Sequence, residues 1–234
     1  MVKFVKKLFR SSINPTICLV IFAILSLPFS CIDNRNMVPD IQQASFLLRY
    51  MTQNRELYAE VVFKTDSTYR FEQEVSFDSE PMMVKKLPIV GWQYRLTQDR
   101  VNFKNAYTFD IPIGSSTSTQ VDVSLPTMTN IRLADQQISK EKGGRLQWEG
   151  SPSEEGMGIY LLLTDSLGNT IQTSHIGQSK ETSVPVFPLN LQTLHPGLGQ
   201  LTLFVRKIDQ SNDPFPHTTT LEYYLPIQEV NITN

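Results

Sequence analysis

Cysteine is nearly absent from this chain of 234 residues: only Cys18 and Cys31 occur, both near the N-terminus. A disulfide framework and a thiolate zinc site each need several cysteines in the folded body, so neither is expected. Cys18 lies inside an apolar run that we expect to be removed. The composition therefore excludes a small disulfide-stabilised fold and leaves Cys31 as the thiol whose role needs an explanation.

Positive charge is also scarce once the N-terminus is set aside. Residues 1–30 hold four of the 21 basic residues and none of the 23 acidic ones, so residues 31–234 carry 17 basic against 23 acidic side chains, a net charge of −6. A mildly acidic body without basic clusters does not attract a phosphate backbone. Nucleic acid is therefore not an expected partner.

Groups for acid–base or metal chemistry are few. The three histidines are His175, His195 and His217, and none stands in an H-x-H or HExxH pattern. His195, before a proline, and His217, after "DPFP", are predicted to be solvated loop residues. No G-x-S-x-G nucleophile motif occurs, so the sequence predicts no catalytic residue.

Acidic residues add little to this. Glu154 and Glu155 are adjacent, so in a strand they would point to opposite faces and in a loop they would be solvated. Asp209, Asn212 and Asp213 are spaced like calcium ligands, but "DQSNDP" lacks the glycine and distal glutamate of an EF-hand loop. We expect a plain loop there, and neither a bound metal nor a cofactor.

What the chain does have is one long apolar run, at residues 17–29, "ICLVIFAILSLPF". The basic segment "MVKFVKKLFR" precedes it, and Ser30 and Cys31 follow it. A basic start, a short apolar core and a small residue at the end are typical of a secretory signal peptide. The run is shorter than the roughly 20 residues of a spanning helix. We therefore predict that residues 1–30 are a signal peptide cleaved between Ser30 and Cys31.

The end of this segment resembles the lipobox of bacterial lipoproteins, in the loosened form found in the Bacteroidota. Leu27 and Ser30 stand where the lipobox has an apolar and a small residue, and Cys31 follows. The resemblance implies a diacylglycerol on Cys31 with palmitate-type acyl chains, two of which suffice for stable anchoring. Cleavage elsewhere and an uncleaved anchor remain alternatives. We expect the protein to be anchored in the outer membrane of the cell envelope, on either its periplasmic or its surface face.

The body from residue 41 onward has a β pattern. Ala59, Val61 and Phe63 alternate with residues 60, 62 and 64, which is typical of a half-buried strand. "SFLLRYM" predicts a strand, with an amphipathic helix as the alternative. Further strands are predicted in "TYRFEQEVSF", "PMMVKKLP", "GWQYRLT", "AYTFDIPI" and "TQVDVSLP", with turn-prone pieces between them. The fold class expected is all-β, of the sandwich type.

The chain is expected to hold two β-sandwich domains. Pro126 interrupts strand pairing in the polar stretch "LPTMTN" and is the best candidate for a boundary. After a tether at residues 31–40, an N-terminal β-sandwich domain would span residues 41–126 and a second residues 127–234.

The second domain resembles a fibronectin type III or related Ig-like sandwich. The residues that carry the resemblance are Trp148 in an early strand, Tyr160 in the next, the "DSLG" turn, and "LHPG" before "LTLFV". Gln200 stands where that family has the tyrosine of its tyrosine corner. The whole chain also resembles uncharacterised Bacteroidota lipoproteins, a likeness that implies no particular chemistry.

Aromatic side chains are the best candidates for a binding surface. Trp92, Tyr94 and Tyr223 are predicted to line it, although strand aromatics often fill a core instead. Tyr223 and Tyr224 are adjacent in a strand, so they must face opposite sides. We predict a non-catalytic, membrane-anchored protein of the envelope that has a structural role or binds a protein or glycan. A carbohydrate-binding accessory module and an enzyme with a divergent site are the alternatives.

Overall fold

Alternating apolar residues build nearly all of this structure. The computed structural model describes residues 41–65, 71, 73–88, 91–114, 117–124, 128–150, 156–176 and 182–234. Its secondary structure is almost entirely strand, so the predicted all-β, sandwich-type fold is confirmed. One short 3-10 helix, Pro188–Leu191, lies among the described residues, where Pro188 provides a favourable helix start.

The strands of the first half follow the predicted pattern closely. They are β1 (Gln43–Met51), β2 (Glu56–Lys64), β3 (Ser76–Phe77), β4 (Glu80–Pro81), β5 (Met83–Leu87), β6 (Gly91–Gln98), β7 (Ala106–Pro112) and β8 (Ser118–Ser124). "SFLLRYM" is strand and not helix, because alternate residues of β1 are buried. The strand predicted in "TYRFEQEVSF" is much shorter than expected, since only Ser76 and Phe77 of its described residues belong to one.

The strands of the second half are β9 (Met128–Leu133), β10 (Gln137–Ser139), β11 (Gly144–Gly150), β12 (Met157–Thr164), β13 (Thr170–Ile176), β14 (Ser183–Val186), β15 (Gly197–Ser211), β16 (His217–Tyr224) and β17 (Gln228–Thr233). The sequence pattern did not predict β9, β10 or β17. In β17 the buried residues Val230 and Ile232 alternate with exposed ones, which is the signal that could have revealed it.

Most of these strands belong to one large sheet. A run of eight neighbours crosses it in the order β13-β12-β15-β16-β1-β2-β6-β5, and β17 and β10 extend it beside β15. β1 and β16 pair in parallel over Ala44–Met51 and His217–Tyr224. The large sheet therefore combines strands from both of the predicted domains. The two-domain division itself stays a prediction.

Among the described residues, two smaller sheets accompany the large one, and the buried side chains form two hydrophobic clusters. One sheet has the order β4-β3-β7-β8 and the other β14-β11-β9. The first cluster consists of buried hydrophobic residues between Ile41 and Val123 together with Phe215 and Leu221. The second consists of buried hydrophobic residues between Met128 and Ile232. Phe46 of the large sheet contacts Phe109 of β7, with ring centroids 5.0 Å apart. Trp148 of β11 is buried in the second cluster.

Candidate functional site

The candidate site lies on the face of the large sheet that points away from both hydrophobic clusters. Pairing places Tyr160 of β12 opposite Phe204 of β15, and Phe204 opposite Tyr224 of β16. In a strand, side chains alternate between the two faces, so paired residues lie side by side. Leu203 and Val205, the neighbours of Phe204, are buried in the second cluster. The three rings therefore share the outward face.

These rings form one continuous stack across three strands. The ring centroids of Tyr160 and Phe204 lie 4.7 Å apart with planes 5° from parallel, and those of Phe204 and Tyr224 lie 4.7 Å apart at 17°. All three side chains are half-buried. Parallel rings at this spacing attract each other beyond the effect of area burial. The stack is thus a stiff, partly apolar element that remains accessible to solvent.

A row of charged side chains runs beside the stack, two residues along each strand. Glu222 of β16 is paired with Arg206 of β15 on one side and with Arg49 of β1 on the other. Nε of Arg49 donates to Oε2 of Glu222 at 2.7 Å, while Nε and Nη2 of Arg206 donate to Oε1 at 2.9 and 2.6 Å. Two guanidiniums thus hold one carboxylate.

The six residues that share this surface are called the outer-face cluster: Arg49, Tyr160, Phe204, Arg206, Glu222 and Tyr224. The side chain of Glu222 is only 4% exposed, whereas those of Arg49 and Arg206 are 38% and 34% exposed. Burial by itself would raise the pKa of Glu222, but the hydrogen bonds and charges of the two arginines outweigh it and lower that pKa below its ordinary value. The carboxylate is therefore held in its ionised form.

The arginines also contact the rings. The guanidinium carbon of Arg206 lies 5.0 Å from the ring centroid of Tyr160, and that of Arg49 lies 5.7 Å from that of Tyr224. These distances suit cation–π attraction. Charge and aromatic surface therefore form a single unit, in which each guanidinium is oriented by both a carboxylate and a ring.

The same face continues onto β2 and β6. Tyr58, opposite Arg49, donates its hydroxyl hydrogen to Glu60, which also accepts a 2.7 Å hydrogen bond from Nε2 of Gln93. Burial, followed by this hydrogen bond to Glu60, raises the pKa of Tyr58 to about 12. Polar side chains thus extend the charged row across two more strands.

The aromatic residues predicted to bind a partner lie elsewhere. Tyr94 is 3% exposed, because its position in β6 faces the first hydrophobic cluster. The prediction that Tyr94 lines a binding surface is therefore wrong. Trp92 is half-buried against the same cluster. The ring of Tyr223 stacks on that of Tyr50 at 5.9 Å. Of the adjacent tyrosines, Tyr224 is the one that faces outward.

Tyr223 nevertheless borders a cavity. An open cleft of about 810 Å³ lies beside β9 and β17, and Tyr223 lines it together with Leu225, Arg132 and Gln228. Nε2 of Gln228 donates to the carbonyl oxygen of Ile131 at 3.0 Å and so joins the two strands at this cleft. Tyr223 therefore lines this cleft, whereas Tyr224 lies on the opposite face of the sheet.

The histidines are distributed over separate elements. His175 is half-buried in β13, and His195 is exposed in a loop, as predicted. His217 is not a solvated loop residue: it begins β16, is 9% exposed, and packs 5.4 Å from the ring of Phe46. Its Nδ1 lies 2.8 Å from the carbonyl oxygen of Phe215. Among the described residues, no group of three or more histidine, cysteine or acidic side chains is arranged to hold a metal.

A buried aspartate stabilises the turn after β12. Asp165 accepts hydrogen bonds from the backbone N–H groups of Leu167, Asn169 and His195, and from the side chain of Asn169, at 2.7–2.9 Å. Burial would raise its pKa, but these bonds, that of His195 first, lower it to about 2. The carboxylate thus ties the β12–β13 turn to the loop before β15, a structural role.

Several predicted positions lie outside the described residues, namely Ser30, Cys31, Pro126, Glu154 and Glu155. In the part of the chain that the structure does describe, no helix has the length and apolar character needed to cross a membrane. No protein-family model matches this chain, and a search of curated proteins finds no sequence that matches it.

Proposed function

We propose that this protein is a lipid-anchored component of the bacterial cell envelope that binds a partner through the outer face of its large sheet. The observation that carries the proposal is the outer-face cluster, whose half-exposed rings and arginines occupy an outward sheet surface. Aromatic and arginine side chains are the types most enriched at the energetic centres of interfaces.

The proposed location and membrane attachment are supported by the sequence. The basic start, the apolar residues 17–29, and Ser30 and Cys31 support export, cleavage and acylation of Cys31. The outer membrane is the proposed location, on its periplasmic or its surface side. No cofactor is proposed apart from the covalent lipid.

The chemistry of the cluster favours binding over catalysis. A general acid or base works best when its pKa lies near the working pH. Glu222 is held ionised by two arginines, with a lowered pKa, and it accepts three hydrogen bonds from them and a fourth, at 3.4 Å, from the hydroxyl of Tyr224. The carboxylate orients the arginines toward a ligand and is poorly suited to proton transfer.

Anchoring is tested by labelled-palmitate incorporation. We expect label on the wild-type protein and none on Cys31→Ala, while retention of label in the variant would refute the attachment site. Protease treatment of intact cells then separates the two faces of the membrane, since digestion indicates surface display and protection indicates the periplasm.

Binding through the outer face is tested by photo-crosslinking in living cells. In the test protein a photoreactive residue replaces Thr220, which lies on the outer face between Ile208 and Leu47 in the strand register. In the control it replaces Gln120, an exposed position on β8 in the sheet β4-β3-β7-β8. We expect adducts from position 220 and not from position 120. Equal adducts from both, or none from position 220, would contradict the proposal.

A further inference from the structure

The outer-face cluster carries a local charge opposite in sign to the net charge of residues 31–234. Its two guanidiniums face a single carboxylate, so one positive charge is left over. Residues 31–234 as a whole carry 17 basic and 23 acidic side chains. A positive site on a negative body attracts an anionic ligand to that place and repels it elsewhere. The complementary ligand is therefore an anion.

Arg49 provides the groups that such an anion needs. Its hydrogen bond to Glu222 is made by Nε, and no other hydrogen bond of Arg49 is found among the residues that the structure describes. Its two terminal nitrogens therefore remain for a ligand, on a side chain that is 38% exposed. Glu222 and the ring of Tyr224 hold the guanidinium in place, so little conformational entropy is lost when it binds.

We propose that the outer-face cluster binds an acidic glycan, with the carboxylate of a uronic acid residue on Arg49. This inference rests on the proposed function, for which it names the ligand class. The planar guanidinium matches a planar carboxylate in a two-bond arrangement. The rest of the sugar lies against the exposed edge of the Tyr224 side chain, whose ring stacks on Phe204 and whose hydroxyl donates to Oε2 of Glu222 at 3.4 Å.

The shape of the surface favours a glycan over a peptide. The cluster lies on the face of the sheet, on β12, β15, β16 and β1, and each of these strands is paired with a neighbouring strand on both sides. A peptide that adds a strand needs an unpaired sheet edge instead. A repeating uronic acid chain needs only a stiff, open surface with a fixed cation, and the ring stack with its arginines is such a surface.

The test is calorimetric titration of the full-length protein, in neutral detergent, with tetragalacturonate and with its neutral methyl ester. Arg49→Lys keeps a positive charge beside Glu222 but removes the planar donor pair. Arg95→Lys, at an exposed position of β6 on the same face, is the matched control. Urea midpoints verify that both variants fold.

We expect the wild type to bind tetragalacturonate and to bind its methyl ester at least about tenfold more weakly. Arg49→Lys should lower the affinity for tetragalacturonate about tenfold, whereas Arg95→Lys should leave that affinity unchanged. Equal binding of acid and ester, equal effects of the two substitutions, or no binding of tetragalacturonate would overturn the inference. If adducts still form at position 220 in that case, the proposed function stands and only the ligand class is wrong. If those adducts are missing too, both fail.

Discussion

Replacing Glu222 by glutamine removes the charge that holds two arginines together, while the shape of the side chain is kept. In the wild type the carboxylate accepts three hydrogen bonds from Arg49 and Arg206, at 2.6–2.9 Å. In the variant one neutral amide oxygen faces two like charges. The large sheet should therefore be less stable where β1 and β15 flank β16.

The size of the effect follows from burial. Removing one partner from a fully buried ion pair costs about 3–5 kcal/mol, because the other charge is left without compensation. Here Arg49 and Arg206 are 38% and 34% exposed, so water can hydrate them after the change. A hydrogen bond to a charged group contributes about 1.5–3 kcal/mol. We expect Glu222→Gln to lower the free energy of unfolding by about 2 kcal/mol at neutral pH.

Urea denaturation is the assay, repeated at several pH values. With a slope of about 2 kcal/mol per molar urea, the midpoint should fall by about 1 M at pH 7. The folded-state pKa of Glu222 lies below its ordinary value of 4.5, so its stabilisation is fully present above pH 4.5 and is lost as the pH falls through the folded pKa. The gap between wild type and variant should therefore close in acid.

Glu229→Gln provides the control, since Glu229 is an exposed carboxylate on β17. This substitution should change the free energy of unfolding by less than about 0.5 kcal/mol. A Glu222→Gln effect no larger than the control's, or one of the same size at pH 7 and pH 3.5, would refute the electrostatic reasoning.

Three further predictions concern other sites. Asp165→Asn should lower the melting temperature at neutral pH, and because the pKa of Asp165 is about 2 in the folded protein, its stabilisation is present above pH 3.8 and is lost as the pH falls toward 2, so melting curves should converge in strong acid. Tyr58→Phe should remove one phenol that titrates near pH 12 in an ultraviolet titration, and an unchanged titration curve would contradict this. The stabilisation linked to the raised pKa of Tyr58 is fully present below pH 10 and is lost as the pH rises to about 12, so the variant should lose less stability over that range. Phe109→Ala, at a fully buried position, should cost about 3–5 kcal/mol in urea, whereas Phe187→Ala, which is 62% exposed, should have little effect; similar costs would show that the core is misassigned.

The candidate site was the part of the protein least visible in the sequence. Arg49, Arg206 and Glu222 each lie in a run of apolar and aromatic residues, which marks them as outward positions in strands. Their meeting depends on the parallel pairing of β1 with β16, and Arg49 and Glu222 are 173 residues apart in the chain. No local pattern specifies a partner at that distance. The pattern does not place Tyr94, because a period of two residues separates the two faces of a strand without showing which face is buried.

Alternation of side chains was enough to determine from the sequence that the chain is all-β, that Ala59, Val61 and Phe63 share one face of a strand, and that Tyr223 and Tyr224 point to opposite sides. These properties follow from the two-residue period of a strand, which is local. Only the tertiary structure decided which strands are neighbours and which face of each meets a core. That choice depends on long-range packing, and it is what assembled the aromatic stack and its arginines on one outward surface.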